Sequence, residues 1–253
     1  FPTVLSLLGL GVVVLLRLVA GKDEFQRAGL KGGKVGHYLL FGLATVVIYG
    51  AMTALNALFG LGQAVDLGAL MVQAGVPEGT VPPGAFVLLL AFQNVVLAPI
   101  LGILIAFGEE YGWRGYLQGE LIRMGKVKGI ALVGVIWGLW HAPVILQGHN
   151  YPETPMLGVL LMTVWCLLLG IFMRWLYLQT RSPWAPALAH GAVNATAGLP
   201  LLFLVPGVNL TLGGTLASVT GWVGLAVLAV WLVASHEDSA AAARQLAPFA
   251  TII

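Results

Sequence analysis

Long apolar runs alternate with short polar segments along the whole chain. Thr3 to Ala20, His37 to Gly60, Ala85 to Gly108, Gly129 to Gln147, Met156 to Leu178, Trp184 to Val205 and Leu216 to Ala234 are seven such runs. Each is close to the roughly 20 residues that a helix needs to cross about 30 Å of hydrocarbon. One stretch between runs has a different pattern. From Gly115 to Lys128, Tyr116, Leu117, Leu121, Ile122 and Met124 interleave with Gln118, Glu120, Arg123, Lys126 and Lys128. This suits an amphipathic segment lying in the membrane interface.

The polar segments differ in charge. Gly21 to Gly36 carries Lys22, Arg27, Lys31 and Lys34, whereas Leu61 to Gly84 and Gly148 to Pro155 contain no lysine or arginine. All twelve basic residues fall in segments, or at the ends of runs, that alternate to one side. Basic loops stay cytoplasmic, so Phe1 is expected outside and the carboxy terminus in the cytoplasm. The chain opens on Phe1 rather than Met, which makes seven spans a lower bound, with a processed signal or a further span upstream.

Composition supports this reading. The 253 residues are 59% hydrophobic and 9% charged, with a mean hydropathy of +0.94, whereas soluble domains carry about 25% charged residues. The expected fold class is an all-α, polytopic transmembrane bundle forming a single integral-membrane domain over residues 1–253. A net charge of +2 without a basic patch argues against a nucleic-acid partner. Membrane lipids are the expected surroundings. Cys166 is the only cysteine, so disulfides and cysteine-based metal sites are excluded and core packing is its expected role. No internal repeat is visible, which disfavours an inverted-repeat transporter.

Against this background a few polar residues stand out. Glu109 and Glu110 close the third run, and an ionisable residue at membrane depth costs several kcal/mol unless it is paired, hydrated or functional. On a helix, Glu110 and Arg114 share a face and can pair, while Glu109 points about 100° away. Glu110 is therefore the expected structural partner of Arg114, and Glu109 the free carboxylate. His190 and Asn194 are also four apart on one face, so both can donate to a single oxygen, as an oxyanion requires. Trp137 and His141 have the same spacing, which lets the indole pack beside the imidazole. Taken singly, His141 reads as a packing histidine, Asn194 as interhelical glue and Glu110 with Arg114 as a buried ion pair. Together, a carboxylate and an imidazole converging on water make a general base for hydrolysis.

His37, His149 and His236 have no partner by spacing and read as surface or interface residues, and Trp113, Trp140, Trp165, Trp175, Trp184 and Trp222 as belt or packing residues. Gly42, Gly134, Gly138 and Gly170 allow close helix approach, and Pro143 is expected to kink the helix after His141.

The motifs Glu109-Glu110-Tyr-Gly-Trp-Arg114, Trp137-Gly-Leu-Trp-His141 and His190-Gly-Ala-Val-Asn194 resemble, in order and on separate spans, those of the CPBP intramembrane proteases. This family, named for CAAX and bacteriocin processing and also called Abi, includes the Ras-converting CAAX endoprotease. The resemblance covers about residues 85–204, and Trp137 stands where the family usually has phenylalanine. It implies endoproteolysis of a peptide or protein substrate, membrane-anchored in some members. Glu109 would activate water with His141, and His190 with Asn194 would stabilise the oxyanion. Glu109, His141 and His190 equally make a two-His, one-Glu catalytic zinc set with one open position, so zinc remains an alternative. Two other readings compete: a silent family member acting as a partner of membrane proteins or as a bacteriocin-immunity protein, and a transporter using Glu109 as a proton site.

Overall fold

The computed structural model describes Leu18 and residues 35–234. The first expected span apart from Leu18, the basic segment after it, the His37 side chain, His236 and the carboxy-terminal tail lie outside the described residues. Among the described residues the architecture is helical, with one isolated β-bridge between Gly62 and Leu204. Helix α1 spans Val35–Leu58, α2 Leu67–Gln73, α3 Pro83–Ile122, α4 Lys126–Trp140, α5 Ala142–Ile145, α6 Pro155–Thr180, α7 Trp184–Thr196 and α8 Trp222–Ala234.

Among the described residues two helices, α3 with 40 residues and α6 with 26, are long and apolar enough to cross a membrane. The other expected spans differ in length. The helix expected over Gly129 to Gln147 stops at Trp140, because His141 begins a tighter turn into the Pro143-containing α5. The sixth ends at Thr196 after 13 residues, where Gly198 and Pro200 lead into a 3-10 turn over Leu199–Phe203. The seventh begins at Trp222 instead of Leu216. A 13-residue helix is only about 20 Å long, short of the hydrocarbon thickness.

The interfacial segment is not one element. Helix α3 continues past the glutamates to Ile122, and Gly125, at φ 112°, starts α4 on a new course. Side chains with a Cβ avoid this backbone conformation, so the glycine marks the break.

Helix α3 carries two wide turns. At Gln93–Leu97 the Ala98 N–H reaches back to the Gln93 carbonyl. Pro99 explains the position: its ring crowds the carbonyl of the preceding turn and it has no N–H to give, so widening the helix relieves both. The second π-helical segment, Tyr111–Leu117, directly follows the two glutamates, and the Gln118 N–H reaches the Trp113 carbonyl. Such bulges often accompany functional sites.

Helix packing depends on missing side chains. A Cβ on Gly102 of α3 would lie 2.9 Å from Gly191 Cα, and one on Gly191 of α7 would lie 2.6 Å from the Gly102 carbonyl carbon, so these backbones cross in direct contact. Likewise a Cβ on Gly138 would approach Thr163 Cα to 2.4 Å, and one on Gly134 would come within 2.9 Å of Leu167 Cα. That joins α4 to α6 through the expected small-residue stripe. The core consists largely of α6 and α7 side chains around Trp137, including Met162, Cys166, Leu169, Met173, Ala185 and Ala189. Helix α1 is tied in by Tyr49 Oη donating to the Val193 carbonyl at 2.8 Å and Asn56 Nδ2 to the Gly214 carbonyl at 3.2 Å. Leu88, Leu89, Phe92, Leu101 and Leu104 leave an apolar face of α3 uncovered by protein, as a lipid-facing helix does.

Candidate active site

Crossing α3 against α7 and α4 against α6 brings the three motifs together around Trp137. Glu110 is fully buried, and its Oε1 accepts from Arg114 NH1 at 2.8 Å and from His190 Nδ1 at 2.8 Å. The Arg114 pairing follows the four-residue spacing. The His190 contact spans 80 residues of sequence and was not anticipated from spacing. A carboxylate only accepts, so His190 Nδ1 carries the proton of that bond and Nε2 points elsewhere.

Glu109 is half-buried, and the free carboxylate expected from spacing is corrected. Its Oε2 accepts from Trp113 Nε1 at 3.3 Å and Trp137 Nε1 at 3.1 Å. Trp113, expected as a belt or packing residue, is therefore part of the site. A signal was present: Trp113 follows Glu109 by four residues, as Arg114 follows Glu110. Glu109 also interacts electrostatically with His141 and His190.

Trp137 is entirely buried and meets a different partner on each side. Arg114 Cζ lies 4.2 Å from the ring centroid, over the electron-rich face. The N–H points to Glu109, and His190 meets the ring edge-on with centroids 5.3 Å apart. The His141 ring lies 6.0 Å away and tilted, so ring packing contributes less to holding it than expected. His141 is fixed chiefly by Nδ1, 2.8 Å from the Trp137 carbonyl oxygen. A carbonyl oxygen only accepts, so Nδ1 donates and Nε2 is left with its lone pair. Cys166 is buried in the core as expected, with Sγ 3.9 Å from His141 Nδ1. Gly170 leaves room for the Arg114 guanidinium: a Cβ there would stand 3.6 Å from NH2.

His190 and Asn194 do not present matching environments. His190 is buried against Glu110, whereas Asn194, one turn later, is exposed. The proposed zinc set fits less well. The Nδ1 bonds of His141 and His190 leave both Nε2 atoms open to a ligand role, but Glu109 Oε2 accepts two indole protons, and among the described residues no three His, Cys, Asp or Glu side chains gather closely enough to hold a metal ion.

Comparison with known proteins agrees with the motifs. Residues 86–196 match the family model described as Type II CAAX prenyl endopeptidase Rce1-like. A protein of Methanococcus maripaludis named CAAX prenyl protease 2 is 32% identical over 94 residues, which is 33% of each chain. The match thus spans about a third of the length of this curated relative. No solved structure matches the chain. The matched segment contains the Glu109-Glu110 pair, Arg114, Trp137, His141, His190 and Asn194. Over it the chain is similar to the Rce1-like CAAX endopeptidases.

Proposed function

We propose that this protein is an intramembrane endopeptidase of the CAAX-protease kind, in which Glu109 and His141 activate a water molecule without a metal. The observation carrying this reading is the division of labour between the adjacent carboxylates. Glu110 is committed to Arg114 and His190 in the interior, while Glu109 is half-buried and has Oε1 left to act. Water would donate one proton to Glu109 and a second hydrogen bond to His141 Nε2, turning its lone pair towards the scissile carbonyl carbon. As the carbon–oxygen bond forms, negative charge collects on the carbonyl oxygen. His190, protonated on Nε2 and held by Glu110, and the Asn194 amide would donate to that oxygen. The proton on Glu109 would pass to the leaving nitrogen as the peptide bond breaks.

The relative named CAAX prenyl protease 2 supports a prenylated protein ending in Cys-a-a-X as the proposed substrate class. The shorter helices would complete a multi-pass bundle, with the site in its cytoplasmic half and the basic turn at 123–128 on the cytoplasmic side. Purified protein in nanodiscs should cleave an internally quenched farnesylated peptide ending in Cys-a-a-X, and Glu109→Gln should not, at an unchanged unfolding midpoint. Cleavage by Glu109→Gln at the wild-type rate would remove the base assignment.

A further inference from the structure

Two adjacent carboxylates next to one arginine pose a problem that spacing alone does not solve. The guanidinium has NH1 on Glu110, but its buried Nε and NH2 have no hydrogen-bond partner among the described residues. A mobile Glu109 side chain would find a strong second partner there, because a carboxylate bonds a guanidinium in preference to water in a poorly solvated place. Captured in that way, Glu109 would no longer face water. Trp137 stands where it opposes this: its ring face takes the cation at 4.2 Å, and its edge N–H takes the anion at 3.1 Å. An aromatic ring is negative on its face and positive at its edge, so one side chain satisfies both charges and keeps them apart. Trp113 adds a second N–H from α3 to the same oxygen.

We infer that Trp113 and Trp137 are positioning residues: their two indole N–H groups hold Glu109 Oε2 and reserve Oε1 as the oxygen that takes the proton from water. This rests on the reading of Glu109 as the base. It also gives a reason for Trp137 at a position where phenylalanine would keep the face for Arg114 but lose the donor. The two donors come from different helices, so the carboxylate is oriented only when α3 and α4 are docked.

The test uses the full protein in nanodiscs and the farnesylated quenched peptide. Trp113→Phe removes one donor from a half-buried side chain. Replacing Trp137 with 3-benzothienylalanine, in which sulfur takes the place of the N–H, removes the other while keeping ring shape and the Arg114 contact. Each change should lower kcat about tenfold, a fraction of a general base's usual contribution, with KM and the unfolding midpoint unchanged. In Glu109→Ala, the indole 15N–1H signals of Trp113 and Trp137 should move and those of the other tryptophans stay. Wild-type kcat in both indole variants, or a loss that follows KM or the unfolding midpoint, would overturn the inference while an inactive Glu109→Gln left the base intact. An active Glu109→Gln would overturn both.

Discussion

His190 Nδ1 stands 2.8 Å from Glu110 Oε1, the same oxygen that receives Arg114 NH1. One buried carboxylate thus joins the third motif to the first and determines which face of the His190 ring is turned inward. Glu110 is therefore both a structural counter-charge and the group that orients the His190 ring. That dual role separates its variants from those of its neighbour.

Glu110→Gln should be destabilising, by roughly the 3–5 kcal/mol typical of breaking one side of a buried pair, because Arg114 loses its counter-charge at a site with no water access. Thermal unfolding in detergent measures this, with Glu109→Gln as the comparison. A Glu110→Gln protein as stable as wild type would mean that Arg114 finds other compensation.

Asn194→Ala should lower kcat by about 100-fold to 1000-fold with little change in KM, since a bond to a developing oxyanion strengthens only after attack. Asn194 is exposed, so the truncation should leave folding intact. A rise in KM at constant kcat would assign Asn194 to substrate binding.

Metal removal separates the two chemistries that the residue types alone allow. Activity should survive chelation, and purified active protein should carry no stoichiometric zinc. His190→Ala should then lose rate without any change in metal content. Activity that follows zinc occupancy would make His190 a ligand and remove its oxyanion role.

Glycine substitutions test the packing that assembles the site. Gly102→Ala and Gly138→Ala place a Cβ within 2.9 and 2.4 Å of a neighbouring helix backbone. Each should destabilise by about 1–3 kcal/mol and reduce activity, as overpacking does. Gly119→Ala on the same helix as Gly102 has nothing within 4 Å and should be neutral in both assays.

Membrane orientation is open to labelling, because Cys166, the only native thiol, is fully buried. A cysteine at Lys128 should react only with reagent applied from the cytoplasmic side, and one at Glu153 only from outside. The opposite pattern would invert the bundle.

The sequence by itself determined the helical class, the membrane setting and which polar residues stand out from the apolar runs. Those properties depend on composition, on apolar run length and on spacings of four residues along one helix. The pairing of Glu110 with Arg114 and the Gly134–Gly138 stripe are local relationships of that kind, and both are present in the structure. Only the tertiary structure decided who else meets whom. The Gly102–Gly191 crossing, the His190 bond to Glu110 and the Trp137 bond to Glu109 join residues on different helices. Their formation depends on crossing geometry and on wide turns in α3, which no short-range period encodes. Helix ends also escaped the pattern, because an apolar run continues through a proline or glycine that stops a helix, as at Pro143 and Gly198. Hydropathy records where a segment prefers to be, whereas backbone hydrogen bonding and helix contact decide its length and which of its polar atoms find partners.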